Sequence, residues 1–215
     1  MSAEPYVPAR ARLPGLRKAV QSCAGCALHR DATQAVFGSG SESARLVLVG
    51  EQPGDQEDRK GQPFSGPAGG LLDRALERAG IDRDDAYVTN ATKHFKFSRQ
   101  RGKRRIHQKP NRSEVAACWP WLAAELRVVD PDLVVCLGAT AAQTLLGTTF
   151  RLTRSRGRLV DLPESALAGH RRGPARALAT IHPSAVLRAD DSETELEGLV
   201  NDLRVAAEAL APTSG

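Results

Sequence analysis

Short apolar runs of strand length recur along the chain. They occupy residues 45–50 (RLVLVG), 86–90 (AYVTN), 133–138 (LVVCLG) and 176–181 (RALATI). Each is too short for a typical helix, and each is apolar nearly throughout, as in strands that are buried on both faces of a sheet. We therefore predict four buried strands.

Helical periodicity fills the intervals between these runs. The predicted helices cover residues 71–79, 113–127, 139–146 and 192–210. Gly80 ends the first helix, and Ser113 is predicted to cap the second, in which Pro120 causes a kink or a local restart. Ser192 and Glu195 have the spacing of a capping box for the last helix.

Strands that alternate with helices predict a three-layer α/β/α fold around a mostly parallel, four-stranded sheet. We expect an irregular N-terminal arm at residues 1–16 and one domain over residues 17–215. Binding sites in such folds form where loops leave the carboxyl ends of the strands. Three loops qualify: residues 50–58 (GEQPGDQED), Thr89 with Asn90, and residues 182–184 (HPS).

Composition and charge narrow the function. Hydrophobic residues make up 41% and charged residues 26% of the chain, and the net charge is +5. No apolar run approaches the ~18 residues that span a bilayer. The first 15 residues lack the apolar core of a secretory signal. We therefore expect a cytoplasmic protein, in which four cysteines indicate a metal site more readily than disulfides.

The basic excess is concentrated between Arg99 and Arg112, which bound a segment with seven Lys or Arg residues. No acidic residue occurs between Asp85 and Glu114. This concentration predicts a long loop that binds an anionic partner. His107 lies within the segment, in GKRRIHQKP, and the loop alone favours a role for it as one more phosphate donor.

Several of these segments together resemble the uracil-DNA glycosylase superfamily. They are GEQPGDQED, QPFSGPAGGLLD, VTN and IHPSAVLR, in that order. The insertion KRRIH after the second strand is similar to that of the UdgX group, within the iron–sulfur branch of the superfamily. The resemblance extends from Cys23 to the last helix. It implies excision of uracil from DNA, with single strands favoured, by a monomeric protein that is nucleoid-associated when bound.

The chemistry of that reaction fits the residues at the strand ends. Phe64 can supply a stacking face for a base that has left the DNA helix, and Asn90 can pair with the N3 and O4 edge of uracil. His182 can donate a hydrogen bond to the charge that develops on uracil O2. Gln52, Gly54 and Asp55 complete the expected uracil site, the first two through backbone donors. Taken singly, Phe64, Asn90 and His182 each have an equally good structural explanation.

The resemblance to UdgX implies that His107 captures the sugar in place of water and forms a stable protein–DNA crosslink. Glu51 is expected to accept the N–H of the other ring nitrogen and to raise the pKa of His107, while the basic neighbours lower it. Two alternatives stay open. One is a glycosylase with multiple turnovers, in which Glu51 positions a water. The other is a catalytically silent, metal-stapled DNA-binding module.

Further residues are expected to contact the DNA. The phosphate contacts are predicted for Arg101, Lys103, Arg104, Arg105 and Lys109. In the HPS segment, Ser184 is expected to bind DNA, Leu187 to fill the gap left by a flipped base, and Arg188 to contact the backbone. Ordinary packing and solvation are equally good explanations for Leu187 and Arg188.

The cysteines complete the resemblance. We expect Cys23, Cys26, His94 and Cys118 to hold a [4Fe–4S] cluster, with His94 at the place where the iron–sulfur glycosylases carry a cysteine. His29 and Cys136 are the alternatives for the fourth ligand, and zinc is the alternative metal. Cys136 is the weaker candidate, because it lies within a buried strand where a small apolar side chain packs well.

Overall fold

The order of strands in the central sheet places three strand ends at one site. A computed structural model describes residues 1–99, 105–166 and 175–211. Strands β1 to β7 are, in order, Leu46–Gly50, Ala86–Asn90, Phe97–Arg99, Arg105–His107, Leu133–Leu137, Leu159–Asp161 and Arg176–Thr180. The main sheet has the order β2-β1-β5-β7-β6, in which the first four strands are parallel and β6 is antiparallel to β7.

The four predicted strands are confirmed, and the sheet has a fifth. β1, β2 and β5 are buried at every position, as their continuous apolar runs require. The additional strand, β6, has three residues and is partly exposed at the sheet edge. Its sequence therefore lacks the apolar run that identifies a buried strand.

Helices cover both faces of the sheet. Helices α1 to α8 are, in order, Leu13–Ala19, Asp55–Lys60, Pro67–Arg78, Arg112–Val129, Ala139–Leu146, Leu152–Ser155, Pro183–Val186 and Ser192–Leu210. The apolar faces of α3 and α8 form one hydrophobic core with the sheet. Residues of α1, α4 and α5 form another. These two cores confirm the predicted three-layer architecture. Among the described helices, none has both the length and the apolar character needed to cross a bilayer.

The structure corrects two predicted helix caps. Asn111, rather than Ser113, caps α4, and it shares a capping box with Glu114. Asp191, rather than Ser192, caps α8 by accepting the N–H of Thr194. Serine, asparagine and aspartate are all good N-cap residues, and in both helices the N-cap is the side chain that lies one or two residues before the predicted serine.

Pro120 lies inside α4, which nevertheless continues from Arg112 to Val129. A proline cannot donate to the carbonyl of the residue four positions earlier, which here is Ala116. Ala116 is exposed, so that its carbonyl can bind water instead. The predicted restart of the helix is therefore wrong.

Two segments that were expected to be irregular contain regular structure. In the N-terminal arm, residues Glu4–Tyr6 form a 3-10 turn, and α1 begins at Leu13 because Leu13 and Leu16 bury one face against the core. The basic segment is not simply a long loop. Its described parts, β3 and β4, pair as an antiparallel hairpin in which Phe97 lies opposite His107.

Candidate active site

A cavity of about 440 Å³ lies at the carboxyl ends of β1, β2 and β7, where the sequence predicted a site. Its walls include ten of the predicted residues: Gln52, Gly54, Asp55, Phe64, Asn90, His107, His182, Ser184, Leu187 and Arg188. Parallel strands bring these loops to one edge of the sheet. The hairpin adds His107 from a segment that is distant in the chain.

Phe64 and His182 form two stacked walls of the cavity. Their ring centroids are 6.1 Å apart and their planes differ by 27°. Phe64 has a φ of 53°, in the left-handed region that is rare for a bulky residue. Its carbonyl packs so closely against Gly69 that a Cβ there would lie 1.7 Å from the oxygen. A Cβ at Gly50 would collide with Phe64 and with the amide of Asn90, so glycine is needed at both positions.

Asn90 ends β2 and is only 2% exposed. A buried network fixes its backbone: the ammonium of Lys93 donates to the Asn90 carbonyl at 2.8 Å and to the Thr89 hydroxyl at 2.7 Å. Lys93 also forms an ion pair with Glu125, and both side chains are almost completely buried. The structure therefore holds the predicted base-reading amide at a rigid strand end.

Glu125 completes this network below the cavity. Its carboxylate accepts hydrogen bonds from the Tyr87 hydroxyl at 2.9 Å, from the Thr89 hydroxyl at 3.0 Å and from the Gly38 N–H at 2.9 Å. A buried carboxylate needs such partners to offset the loss of hydration. Lys93 and Glu125 were not predicted, because one lies in a loop and the other on a helix, 32 residues apart.

His182 is poised as a neutral donor. Its Nδ1 accepts the N–H of Ser184 at 3.1 Å, so the neutral ring carries its proton on Nε2. Burial, together with the smaller effects of Arg188 and His107, lowers the pKa of His182 to about 4. The Ser184 hydroxyl lies 2.8 Å from the same Nδ1. Ser184, predicted to bind DNA, therefore uses both its backbone N–H and its hydroxyl to orient His182.

His107 ends β4 at the mouth of the cavity. Its ring stacks on Phe95 with centroids 6.0 Å apart. Nε2 lies 3.7 Å from Oε1 of Glu51, too far for the predicted hydrogen bond. Burial lowers the pKa of His107, Glu51 opposes that shift, and Arg188 adds to it. The sequence predicted that the basic segment lowers the pKa of His107. Burial and Arg188 lower it instead, and the imidazole is neutral at pH 7.

Thr140 is a site residue that the sequence did not indicate. At the start of α5, its hydroxyl donates to Oε2 of Glu51 and leaves Oε1 directed toward His107. The loop after β5 gives no sequence signal for a site, because it contains no charged or aromatic residue. Its position in the fold does indicate a site residue, because β5 lies between β1 and β7 and must end at the same edge of the sheet.

Arg105 has a structural role in place of the predicted phosphate contact. Its guanidinium pairs with Asp55 and Asp58, its side chain is 10% exposed, and it packs over the rings of Phe95 and Phe97. These contacts fix β4 and leave little of the cation for DNA. Lys109, Leu187 and Arg188 are exposed, as DNA contacts require. The predicted contacts Arg101, Lys103 and Arg104 lie outside the described residues.

Gln52 joins the hairpin to the sheet. Its side-chain amide donates to the Gln108 carbonyl at 2.9 Å, and its side-chain oxygen accepts the Lys96 N–H at 2.9 Å. The sequence predicted a backbone donor for uracil at this position. The side chain adds a second role, because it anchors both strands on which His107 depends.

Three of the four cysteines form a buried group. Cys118 accepts the Lys93 backbone N–H at 3.3 Å, and Cys23 accepts the indole N–H of Trp121 at 3.2 Å. Burial raises the pKa of Cys118 to about 12, and Cys26 and Cys23 add to that effect while Lys93 opposes it. For Cys136, burial is the only cause of a pKa of about 12. Cys136 lies inside the central sheet, opposite Val49 of β1 and Ala179 of β7.

Two imidazoles lie near this group. The rings of His29 and His94 are 6.5 Å apart, and Nδ1 of His29 lies 2.6 Å from the Cys26 carbonyl. Burial, together with the smaller effect of His29, lowers the pKa of His94 to about 4, so the ring is neutral and can act as a ligand. Within the described residues, no three His, Cys, Asp or Glu side chains are close enough to hold a single metal ion. The ligands of a four-iron cluster bind different iron atoms and lie further apart than the ligands of one ion. This result therefore does not conflict with the predicted ligands Cys23, Cys26, His94 and Cys118.

Comparisons with known proteins agree with the geometry. Residues 37–204 match the sequence profile described as the uracil DNA glycosylase superfamily. The chain is 37% identical to a type-4 uracil-DNA glycosylase of Thermotoga maritima, over 81% of this chain and 82% of the relative. It is 36% identical to the type-4 enzyme of Pyrobaculum aerophilum, over 82% and 85%, and 35% identical to that of Archaeoglobus fulgidus, over 86% and 88%.

Proposed function

This chain belongs to the uracil DNA glycosylase superfamily, and we propose that it excises uracil from DNA, preferably single-stranded, and remains bound to the abasic sugar through His107. The observation that carries the proposal is the convergence of Phe64, Asn90 and His182 on one cavity with a neutral histidine at its mouth. Under this proposal the protein is a self-crosslinking uracil-DNA glycosylase of the UdgX type.

Base recognition follows from the cavity walls. Phe64 stacks on the extruded base, and the Asn90 amide reads its N3 and O4 edge, which distinguishes uracil from cytosine. Because Asn90 is buried and its backbone is fixed by Lys93, a wrong base leaves a buried amide unpaired. A single-stranded substrate also avoids the free energy of unpairing the base.

Bond cleavage sends the electron pair of the glycosidic bond to uracil. The pair leaves from C1′ to N1 as the bond breaks, and negative charge develops on uracil O2. His182 carries its proton on Nε2 and donates it in a hydrogen bond to that oxygen. The low pKa of His182 keeps its imidazole neutral at pH 7. The ring therefore donates this hydrogen bond without carrying a positive charge in the ground state.

His107 then forms the new bond. A ring nitrogen lone pair attacks C1′, and the ring becomes a substituted imidazolium until it loses its remaining N–H proton. Glu51 is the carboxylate beside that ring and stabilises this positive charge. The proton balances the charge of the departing uracil anion, so the products are neutral uracil and an imidazole–sugar adduct.

The separation of Glu51 from His107 favours one alternative function. Because the two side chains are 3.7 Å apart without a hydrogen bond, Glu51 is free to orient a water in place of the imidazole. That water would give a free abasic site and multiple turnovers, as in an ordinary glycosylase.

The cysteine group is proposed to hold a [4Fe–4S] cluster through Cys23, Cys26, Cys118 and His94. When bound, the cluster would hold distant segments of the chain together and would take no redox part in base excision. Its ligands join the N-terminal segment, the loop after β2 and α4. His29 is the other imidazole that lies near enough to be considered.

The decisive experiment is a denaturing gel of the protein after incubation with uracil-containing single-stranded DNA. The wild type should give a shifted band that resists denaturation. His107→Ser should instead release uracil and leave a free abasic site, because Glu51 remains to orient a water. Gln108→Ser, one position further along the hairpin, should still crosslink.

Three outcomes contradict the proposal. An adduct that persists in His107→Ser would show that another residue is the nucleophile. Loss of both adduct and excision in a variant that folds and binds DNA would show that His107 takes part in bond cleavage itself. A free abasic product from the wild type would instead support the turnover glycosylase.

A further inference from the structure

A second groove adjoins the candidate active site. It has a volume of about 620 Å³ and lies between the first half of α4 and helix α5. Thr140 belongs to its wall and also donates to Glu51 in the active site. Lys109, which also lines the groove, follows His107 by only two residues, which places their Cα atoms within about 7 Å. The groove therefore begins where the cavity for the base ends.

The groove combines an aromatic ring with two cations. Trp119 packs partly against the core and is partly exposed, while Lys109 and Arg112 are both exposed. None of the described residues that line the groove carries a carboxylate. Two carboxylates adjoin the lining in sequence: Glu114 is paired with Lys96 and with the N–H of Asn111, and Glu164 directly precedes Ser165 and is exposed. Among the described residues, neither Lys109 nor Arg112 forms an ion pair with a carboxylate, so both cations are available to an anionic ligand.

The contrast with the cavity at the other end of the sheet is informative. That cavity has a similar volume, about 460 Å³, and is lined by Asp82, Asp84 and Asp85. Its cation, Arg45, forms an ion pair with Asp132. An anionic polymer is therefore repelled from one cavity and attracted to the groove beside His107.

We propose that this groove binds the nucleotide of single-stranded DNA next to the extruded uridine. Its base stacks on Trp119, and Lys109 and Arg112 contact the flanking phosphates. A base in a duplex is already stacked and paired, so only an unpaired base can use the indole face. The position next to uridine rests on the proposed function, whereas the capacity to bind single-stranded DNA does not.

The test is the affinity of the full-length protein for a uracil-free, single-stranded oligothymidine, measured by fluorescence anisotropy at several salt concentrations. Trp119→Ala should weaken binding about tenfold, since one stacked base is lost. Trp119→Phe should retain most of the affinity, because it keeps an aromatic face. Arg112→Gln should reduce the slope of log K against log salt by about 0.7, the value for one phosphate contact to a single strand.

Arg74→Gln is the control for the loss of one surface cation, because Arg74 is exposed on α3, on the other face of the sheet. It should change neither the affinity nor the salt slope by as much. Affinity for a duplex of the same length should fall little in Trp119→Ala. If the groove instead seats a protein segment, Trp119→Ala and Arg112→Gln will bind oligothymidine like the wild type, and the proposal is wrong.

Equal losses on single-stranded and duplex DNA would also overturn it, because a stacked base would then make no contribution. The uracil-free probe separates this proposal from the proposed function. If the protein binds oligothymidine through Trp119 but releases no uracil, the groove proposal stands and the proposed glycosylase function is wrong.

Discussion

Glu51→Gln tests the electrostatic part of the proposed reaction. The carboxylate lies 3.7 Å from Nε2 of His107, and the ring becomes positively charged when it attacks C1′. Two unit charges at that distance interact by about 4 kcal/mol at an effective dielectric constant of 20 and by about 1 kcal/mol in water. Because the His107 side chain is 54% exposed, we expect Glu51→Gln to remove an amount of stabilisation near the lower value. A barrier raised by about 1.4 kcal/mol slows crosslinking roughly tenfold.

The assay is the single-turnover rate of adduct formation on a denaturing gel, measured across pH. His107 must be neutral to attack, and its pKa is below the usual 6.5, so the wild-type rate should be constant near pH 7 and fall in acid. Glu51 raises the pKa of His107, so Glu51→Gln should move this acid limb to lower pH while it reduces the plateau.

Glu77→Gln, on the exposed face of α3, is the matched control and should leave both the plateau and the limb unchanged. An unchanged plateau in Glu51→Gln would refute the role of the carboxylate. A limb that moves to higher pH would refute the assignment of that limb to His107.

Three further changes test other parts of the site. Asn90→Asp replaces a buried donor by an acceptor, so uracil excision should fall about 100-fold and some release of cytosine should appear; an unchanged rate on uracil would mean that Asn90 does not read the base. Cys118→Ala should lose iron and visible absorbance while Cys136→Ala keeps both, and equal losses in the two variants would contradict the ligand set. Lys93→Met should lower the free energy of unfolding in urea by about 3–5 kcal/mol, because it leaves Glu125 buried without its cation. Adding Glu125→Leu should recover part of that loss, and no recovery would mean that packing, rather than the unpaired charge, causes the effect.

The sequence predicted the parallel sheet and the residues at its carboxyl edge because both depend on local patterns. A buried parallel strand is a continuous apolar run, and the loop that follows it must lie at the same edge as its neighbours. For that reason Gln52, Asn90 and His182 could be assigned to one site from their positions after three separate strands. β6 was missed because a short edge strand lacks that pattern.

The role of the basic segment could not be predicted, because it depends on partners distant in the chain. Arg105 looks like its neighbours in sequence, yet it pairs with Asp55 and Asp58, about 50 residues earlier. Thr140 was missed for the same reason, since its partner Glu51 lies 89 residues away. Charge density predicts an anionic partner, but it does not show which cations are already neutralised within the protein.

The ion pairs of Arg105 have a consequence for competition between nucleophiles. They hold β4 against α2, while Gln52 fixes the base of the hairpin, so His107 extends from a strand that is anchored on both sides. A group fixed in this way acts with an effective molarity that reaches about 10⁵–10⁸ M in well-oriented cases, above the concentration of liquid water. Water can therefore reach the sugar cation and still lose to the imidazole. In the proposed reaction, single turnover is decided by the rigidity of the hairpin rather than by any exceptional reactivity of the histidine. Loosening the hairpin with Arg105→Gln should shift the products from adduct toward free abasic sites.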